Sequence, residues 1–155
     1  MRTLYFDIDG TLLRLYTPGA KPALAFGALG RAIREAGFEK LVCVGNYCEI
    51  ALMMEPLVED FDALAAVFEM CSDVFDDEDW FRACTRLIKR PDLRATEVDL
   101  TEDWWYMDDL AEKYFADAGM SDVYRAHAGG RILVPTAEGD GEDVLAWLRT
   151  VDASR

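Results

Sequence analysis

The stretch Leu41-Val42-Cys43-Val44-Gly45, apolar at almost every position, restricts the fold of this chain more than any other part of its sequence. A strand with one wet face alternates apolar and polar residues. A strand covered on both faces does not, and that unbroken pattern belongs to parallel sheets flanked by helices. Upstream, TLYFDI, from Thr3 to Ile8, is a run of β-branched, aromatic and aliphatic residues that predicts a first buried strand. Between the two runs, after a turn at TPGAKP, Phe26, Leu29, Ile33 and Ala36 recur at helical spacing. Gly37 stands where a helix ends in a left-handed conformation. Strand, helix and strand in that order make a βαβ unit.

The rest of the chain continues the alternation. From Glu49 to about Cys71, an apolar stripe of Ile50, Met53, Leu57, Phe61, Leu64 and Phe68 predicts helix, kinked or divided at Pro56. The acidic run DDED before Trp80 reads as a helix start, where carboxylates face the positive end of the dipole. WWYM is the third predicted strand and ends in Asp108 and Asp109. A helix, DLAEKYFADAG, follows and stops at Gly119. VYRA and RILVP are the last two predicted strands, EGDGED is a turn, and EDVLAWLRTV is a final helix. With 155 residues and no repeat or linker, residues 1–155 form one expected domain. The order of elements predicts a three-layer α/β fold with a mainly parallel sheet of about five strands and helices on both faces.

Composition removes several classes of function. Thirty acidic against sixteen basic residues give a formal charge of −14, which repels nucleic acid and anionic membranes. No apolar stretch approaches the roughly 20 residues that span a bilayer. The start, MRTLYFDIDG, has acids where a signal peptide needs its apolar core, so a cytoplasmic protein is expected. The four cysteines, Cys43, Cys48, Cys71 and Cys84, have irregular spacing without a Cys-x-x-Cys pair and read as reduced thiols. His127 is the only histidine and reads as a packed or surface residue. None of the three serines sits in a Gly-x-Ser-x-Gly elbow. Chemistry in this chain therefore falls to carboxylates and a few bases.

Those carboxylates are not scattered. In open parallel sheets, ligands bind beyond the carboxyl ends of the strands. Three predicted strand ends carry Asp7 with Asp9, Gly45 with Asn46, and Asp108 with Asp109. If these strands are neighbours, four carboxylates converge on one region. Like charges so close call for a hard dication with oxygen ligands, Mg²⁺ first among them.

DIDGT, from Asp7 to Thr11, together with the late WWYMDD, resembles the haloacid dehalogenase superfamily, whose signature is Asp-x-Asp-Gly-Thr at the end of the first strand. The resemblance implies a Rossmann-like domain and Mg²⁺-dependent phosphoryl transfer through an aspartyl phosphate. Asp7 would be the nucleophile. Asp9 would protonate the leaving oxygen and then activate water. Gly10 and Thr11 would shape the turn beside the phosphate, and Asp108 and Asp109 would hold Mg²⁺ with Asp7 and the backbone carbonyl of Asp9. The family's second strand usually ends in Ser or Thr. Here Gly45 and Asn46 stand there, either as phosphate donors or as a strand-ending turn. Lys89, in KRPD, is the expected charge-balancing base, followed by Arg90 and Lys113. About eleven residues separate DIDGT from the first helix, too few for a large cap, although residues 54–94 have room for a small helical cover. The open site implies a bulky substrate, either a phosphorylated small molecule or a phosphoprotein, or a second copy of the chain that closes it. A metal-binding or regulatory domain without turnover is the alternative reading. A receiver-like signalling domain places its acid pair first, not late, and a dehalogenase has no need of Asp9 or a metal.

Overall fold

The structure is a computed structural model that describes residues 1–7, 32–33, 35–44, 91–136 and 142–153. Its described strands are β1 (Arg2–Phe6), β2 (Lys40–Cys43), β3 (Asp103–Met107) and β4 (Ile132–Leu133), and the sheet order is β2-β1-β3-β4. Every pairing is parallel: Tyr5 lies beside Val42 on one side and Tyr106 on the other, and Tyr106 lies beside Ile132. The helices are α1 (Ala111–Asp117), α2 (Ser121–His127) and α3 (Glu142–Ala153), with a 3₁₀ segment at Pro91–Glu97. Among the described residues no helix is long and apolar enough to cross a membrane.

Because side chains alternate along a strand, the register sorts the core into two faces. Tyr5, Val42, Val44, Trp104, Tyr106 and Ile132 share one face. There they pack with Ala95 from the 3₁₀ segment and Val98 just after it, Ala111 and Phe115 from α1, and the partly buried Val123 and Tyr124 from α2. Phe115 meets Tyr106 edge-on at 5.0 Å between ring centres. The other face, with Leu4, Phe6, Trp105 and Met107, receives α3, whose buried Val144, Trp147, Leu148 and Val151 recur at helical spacing. Trp147 meets Trp105 edge-on at 5.9 Å. Full burial of a side chain as large as Phe115 contributes about 1.5–3 kcal/mol. Helices thus cover both faces of a parallel sheet, as the uninterrupted apolar strands require.

Two glycines stop the chain where the sequence predicts, Gly37 at φ 76° and Gly119 at φ 71°. At Gly119 the N–H of Met120 donates to Phe115 O at 2.7 Å and that of Gly119 to Ala116 O at 3.0 Å, a Schellman closure of α1.

One predicted strand is a helix. VYRA lies within α2, so the described sheet has four strands where about five are expected. A four-residue apolar run does not separate the two periodicities. The wider spacing does: Met120, Val123, Tyr124 and His127 fall on one helical face, and Val123 and Tyr124 use it to cover the sheet. The predicted helices at 49–71 and before Trp80, the small cover, and Cys48, Cys71 and Cys84 lie outside the described residues.

The strand order itself locates a crevice. From β1 the chain passes to β2 on one side and later returns to β3 on the other, so the connections diverge at the carboxyl ends of β1 and β3.

Candidate functional site

Asp7 and Asp108 stand at that divergence, each one residue beyond its strand. The ladder runs on through both of them. Asp7 N–H donates to Met107 O at 2.9 Å, and Asp108 N–H donates to Leu133 O at 3.1 Å. By alternation both side chains project to the face that carries Tyr5 and Tyr106. Asp109 would point away if the strand continued, but it does not. Asp108 Oδ1 accepts the N–H of Leu110 at 2.9 Å, and this side-chain-to-backbone bond turns the chain. Asp109 comes round, and carboxylate oxygens of Asp7, Asp108 and Asp109 lie within 4.8 Å of one another.

Arg94 enters this cluster from the 3₁₀ segment. Leu93, at φ −115° and ψ 32°, leaves helical conformation and kinks the segment just before it. Ala95 within the segment and Val98 just after it are anchored in the core, and Asp99 N–H donates to the Tyr5 hydroxyl at 3.1 Å. Arg94 Nη1 reaches Asp7 Oδ1 at 3.1 Å and Asp108 Oδ2 at 3.5 Å. Its guanidinium lies over the ring of Tyr114, 3.8 Å from the centroid. The Tyr106 hydroxyl donates to Asp108 Oδ2 at 2.9 Å.

These charges are out of water: Asp7 is 5% exposed, Asp108 0% and Arg94 3%. Burial pushes the pKa of Asp108 up. The Leu110 N–H, Arg94 and the Tyr106 hydroxyl oppose that without cancelling it. Burial alone would lower the pKa of Arg94, but Asp7 and Asp108 outweigh it and hold the guanidinium charged. Burial, and then Asp108, raise the Tyr106 hydroxyl well above its usual range, so it keeps the proton it donates.

The donor set fits a hard dication. Among the described residues, three carboxylates against one guanidinium leave two formal negative charges in a place where two of the three acids are buried. Opposite oxygens around an octahedral Mg²⁺ are roughly 4.2 Å apart, so carboxylates whose oxygens lie within 4.8 Å of one another need only a small closing movement to share one ion.

Of the residues expected at this site, Asp7, Asp108 and Asp109 come together. Asp9, Gly10, Thr11, Gly45, Asn46, Lys89 and Arg90 lie outside the described residues. Lys113 does not join the acids: its ammonium pairs with Asp117 at 2.8 Å on exposed surface. His127 meets Trp104 edge-on at 5.0 Å. Trp104 is four residues before Asp108, about 13 Å along the strand. Arg94, the base that does reach the acids, is absent from the expected set because the Lys-Pro-Asp likeness drew attention to Lys89. The overlooked signal is the apolar setting of Arg94, between Leu93 and Ala95 with Val98 following. An arginine whose neighbours must be buried is carried inside with them.

No family model, curated protein or solved structure matches this chain.

Proposed function

We propose that this chain is a Mg²⁺-dependent phosphohydrolase of the haloacid dehalogenase type, acting on a phosphate monoester. The observation that carries this reading is the convergence of Asp7, Asp108 and Asp109 at the divergence point of a parallel sheet, with Arg94 bonded to two of them. Asp7, first in the DIDGT signature, is the nucleophile. Its carboxylate attacks phosphorus and the ester alcohol leaves. Asp9 gives the alcohol its proton and then takes one from the water that cleaves the aspartyl phosphate. Arg94 offsets the charge that builds as an anionic carboxylate meets an anionic phosphate, and its bond to Asp7 Oδ1 fixes the rotation of that carboxylate. Mg²⁺, held by Asp7, Asp108 and Asp109, would supply further neutralisation of the phosphoryl oxygens. The short spacing between DIDGT and the first predicted helix, about eleven residues, leaves no room there for a large cap and favours an open site.

The second reading, a metal-binding domain without turnover, draws on Gly45, which offers no hydroxyl where the family has one. One experiment separates the two. The melting temperature is measured with Mg²⁺ and then with Mg²⁺ and beryllofluoride, a mimic of the aspartyl phosphate, for the native chain and for Asp7→Asn. A ligand at about a hundred times its dissociation constant adds roughly 2.7 kcal/mol. The phosphohydrolase reading expects beryllofluoride to add stability that Asp7→Asn removes. Mg²⁺ binding without any beryllofluoride effect leaves the second reading standing and rejects the first.

A further inference from the structure

Beside the acid cluster lies a cavity of about 380 Å³, lined by Asp109, Leu110, Glu112, Lys113, Tyr124 and Val134. It belongs to the same edge of the sheet. Asp109 and Leu110 come from the turn after β3, Glu112 and Lys113 from α1, Tyr124 from α2, and Val134 from the residue after β4. Asp109 lines the cavity and also belongs to the three-carboxylate group, so one side chain is shared by the two. The volume falls in the range of about 300–1,000 Å³ that small-molecule sites occupy, far more than coordinated phosphate oxygens need.

Its walls have a definite chemistry. Leu110 is 49% exposed and Val134 43%, and the remaining exposed large apolar residues among those described, Met1 and Leu100, lie elsewhere. Two apolar side chains left in water at one cavity, with the ring of Tyr124 between the helices, suit an apolar guest. The charge at the rim is net negative. Asp109 and Glu112 stand against Lys113 alone, and Lys113 is engaged by Asp117 at 2.8 Å. A second phosphate or a carboxylate on a substrate would be repelled here.

We infer that this cavity receives the alcohol portion of the substrate and selects a compact apolar group, uncharged or cationic, over a polyanionic one. The inference rests on the phosphohydrolase reading and adds the substrate class to it. In the first step an Asp7 oxygen bonds to phosphorus, the bond from phosphorus to the ester oxygen breaks with its electron pair on that oxygen, and Asp9 protonates it. The alcohol, its hydroxyl restored, then leaves through the cavity. In the second step, water bonds to phosphorus as Asp9 takes its proton, and the bond to Asp7 breaks.

The test is steady-state kinetics of the full chain with Mg²⁺ on phenyl phosphate, phosphocholine and 3-phosphoglycerate, for the native protein and for Val134→Asp and Val134→Lys. Val134 is exposed, so neither substitution disturbs the core. The native chain should favour phenyl phosphate and phosphocholine over 3-phosphoglycerate by about tenfold or more in kcat/KM, the scale of one well-placed pocket contact. Val134→Asp should raise KM for phenyl phosphate about tenfold without changing kcat or the stabilisation by beryllofluoride. Val134→Lys should move the preference toward 3-phosphoglycerate. The inference is overturned by a native preference for 3-phosphoglycerate, by KM values indifferent to both substitutions, or by a chain that binds beryllofluoride yet turns over none of the three. Failure of the phosphohydrolase reading would look different, since beryllofluoride would then stabilise nothing.

Discussion

Both oxygens of Asp108 are engaged, Oδ1 by the Leu110 N–H and Oδ2 by the Tyr106 hydroxyl, with Arg94 on the same Oδ2. A carboxylate held from two sides would present a fixed pair of lone-pair directions to the proposed Mg²⁺, and partners of this kind commonly set metal affinity by 10–100-fold. Tyr106→Phe keeps the ring against Phe115 and removes only the donor. Mg²⁺ affinity, measured by calorimetry, should fall by about tenfold. Unchanged affinity would mean that Tyr106 serves packing alone. The residue scale also holds the contact that the sequence did not show. Asp7 and Asp108 were visible from their place at strand ends, whereas Arg94 was not, because its partners are 87 and 14 residues away and only folding brings them together.

Elements form here where period and stop signals agree. In α3, Val144, Trp147, Leu148 and Val151 make one buried stripe, and Asp143 accepts N–H bonds from Thr136 at 2.7 Å and Val144 at 2.9 Å at the start of the helix. Trp147 does two things: it packs on Trp105, and its ring N–H donates to Gly130 O at 2.7 Å. Trp147→Ala should therefore cost about 3–5 kcal/mol in a urea titration, the usual range for truncating a core aromatic. Arg149→Ala, on the exposed side of the same helix, should stay within about 0.5 kcal/mol. A loss below 1 kcal/mol at Trp147 would show that α3 docks loosely on the sheet. Where signals conflict, the prediction fails. VYRA has strand composition but lies in the seven-residue α2, between the Schellman stop at Gly119 and the turn at Gly129, and its neighbours complete a helical face.

At the scale of the molecule the sheet has two unlike ends. The acids and Arg94 occupy the carboxyl end, and an ion cluster ties the other. Asp103 accepts bonds from Arg2 Nε at 2.7 Å and Arg131 Nη1 at 2.8 Å. Arg2 Nη1 also donates to the carbonyls of Ala36 at 2.7 Å and Val151 at 3.1 Å. Five parts of the chain meet there. Partial burial disfavours the Asp103 carboxylate, but the bonds from Arg131 and Arg2 and their charges outweigh it, so its folded pKa is lowered. A carboxylate whose folded pKa lies below the unfolded value of about 3.9 contributes stability above that pH and loses it as pH falls through the folded value. The melting temperatures of the native chain and Asp103→Asn should thus differ by a constant amount from pH 7 to 5 and converge below about pH 4. A gap that persists under acid conditions would assign the loss to hydrogen-bond geometry and not to charge.

By itself the sequence determined the alternation of covered strands and helices, the stops at Gly37 and Gly119, and the presence of acids just past Phe6 and Met107. Each of these is set by local chemistry: periodicity, left-handed backbone, or the end of an apolar run. Tertiary structure alone decided which strands are neighbours, that the turn at Leu110 swings Asp109 toward Asp7, and that Arg94 reaches two of the carboxylates. The physical reason is range. Local signals act over a few residues, whereas the charge balance of a buried site is settled by whichever groups the packing of distant segments carries out of water together.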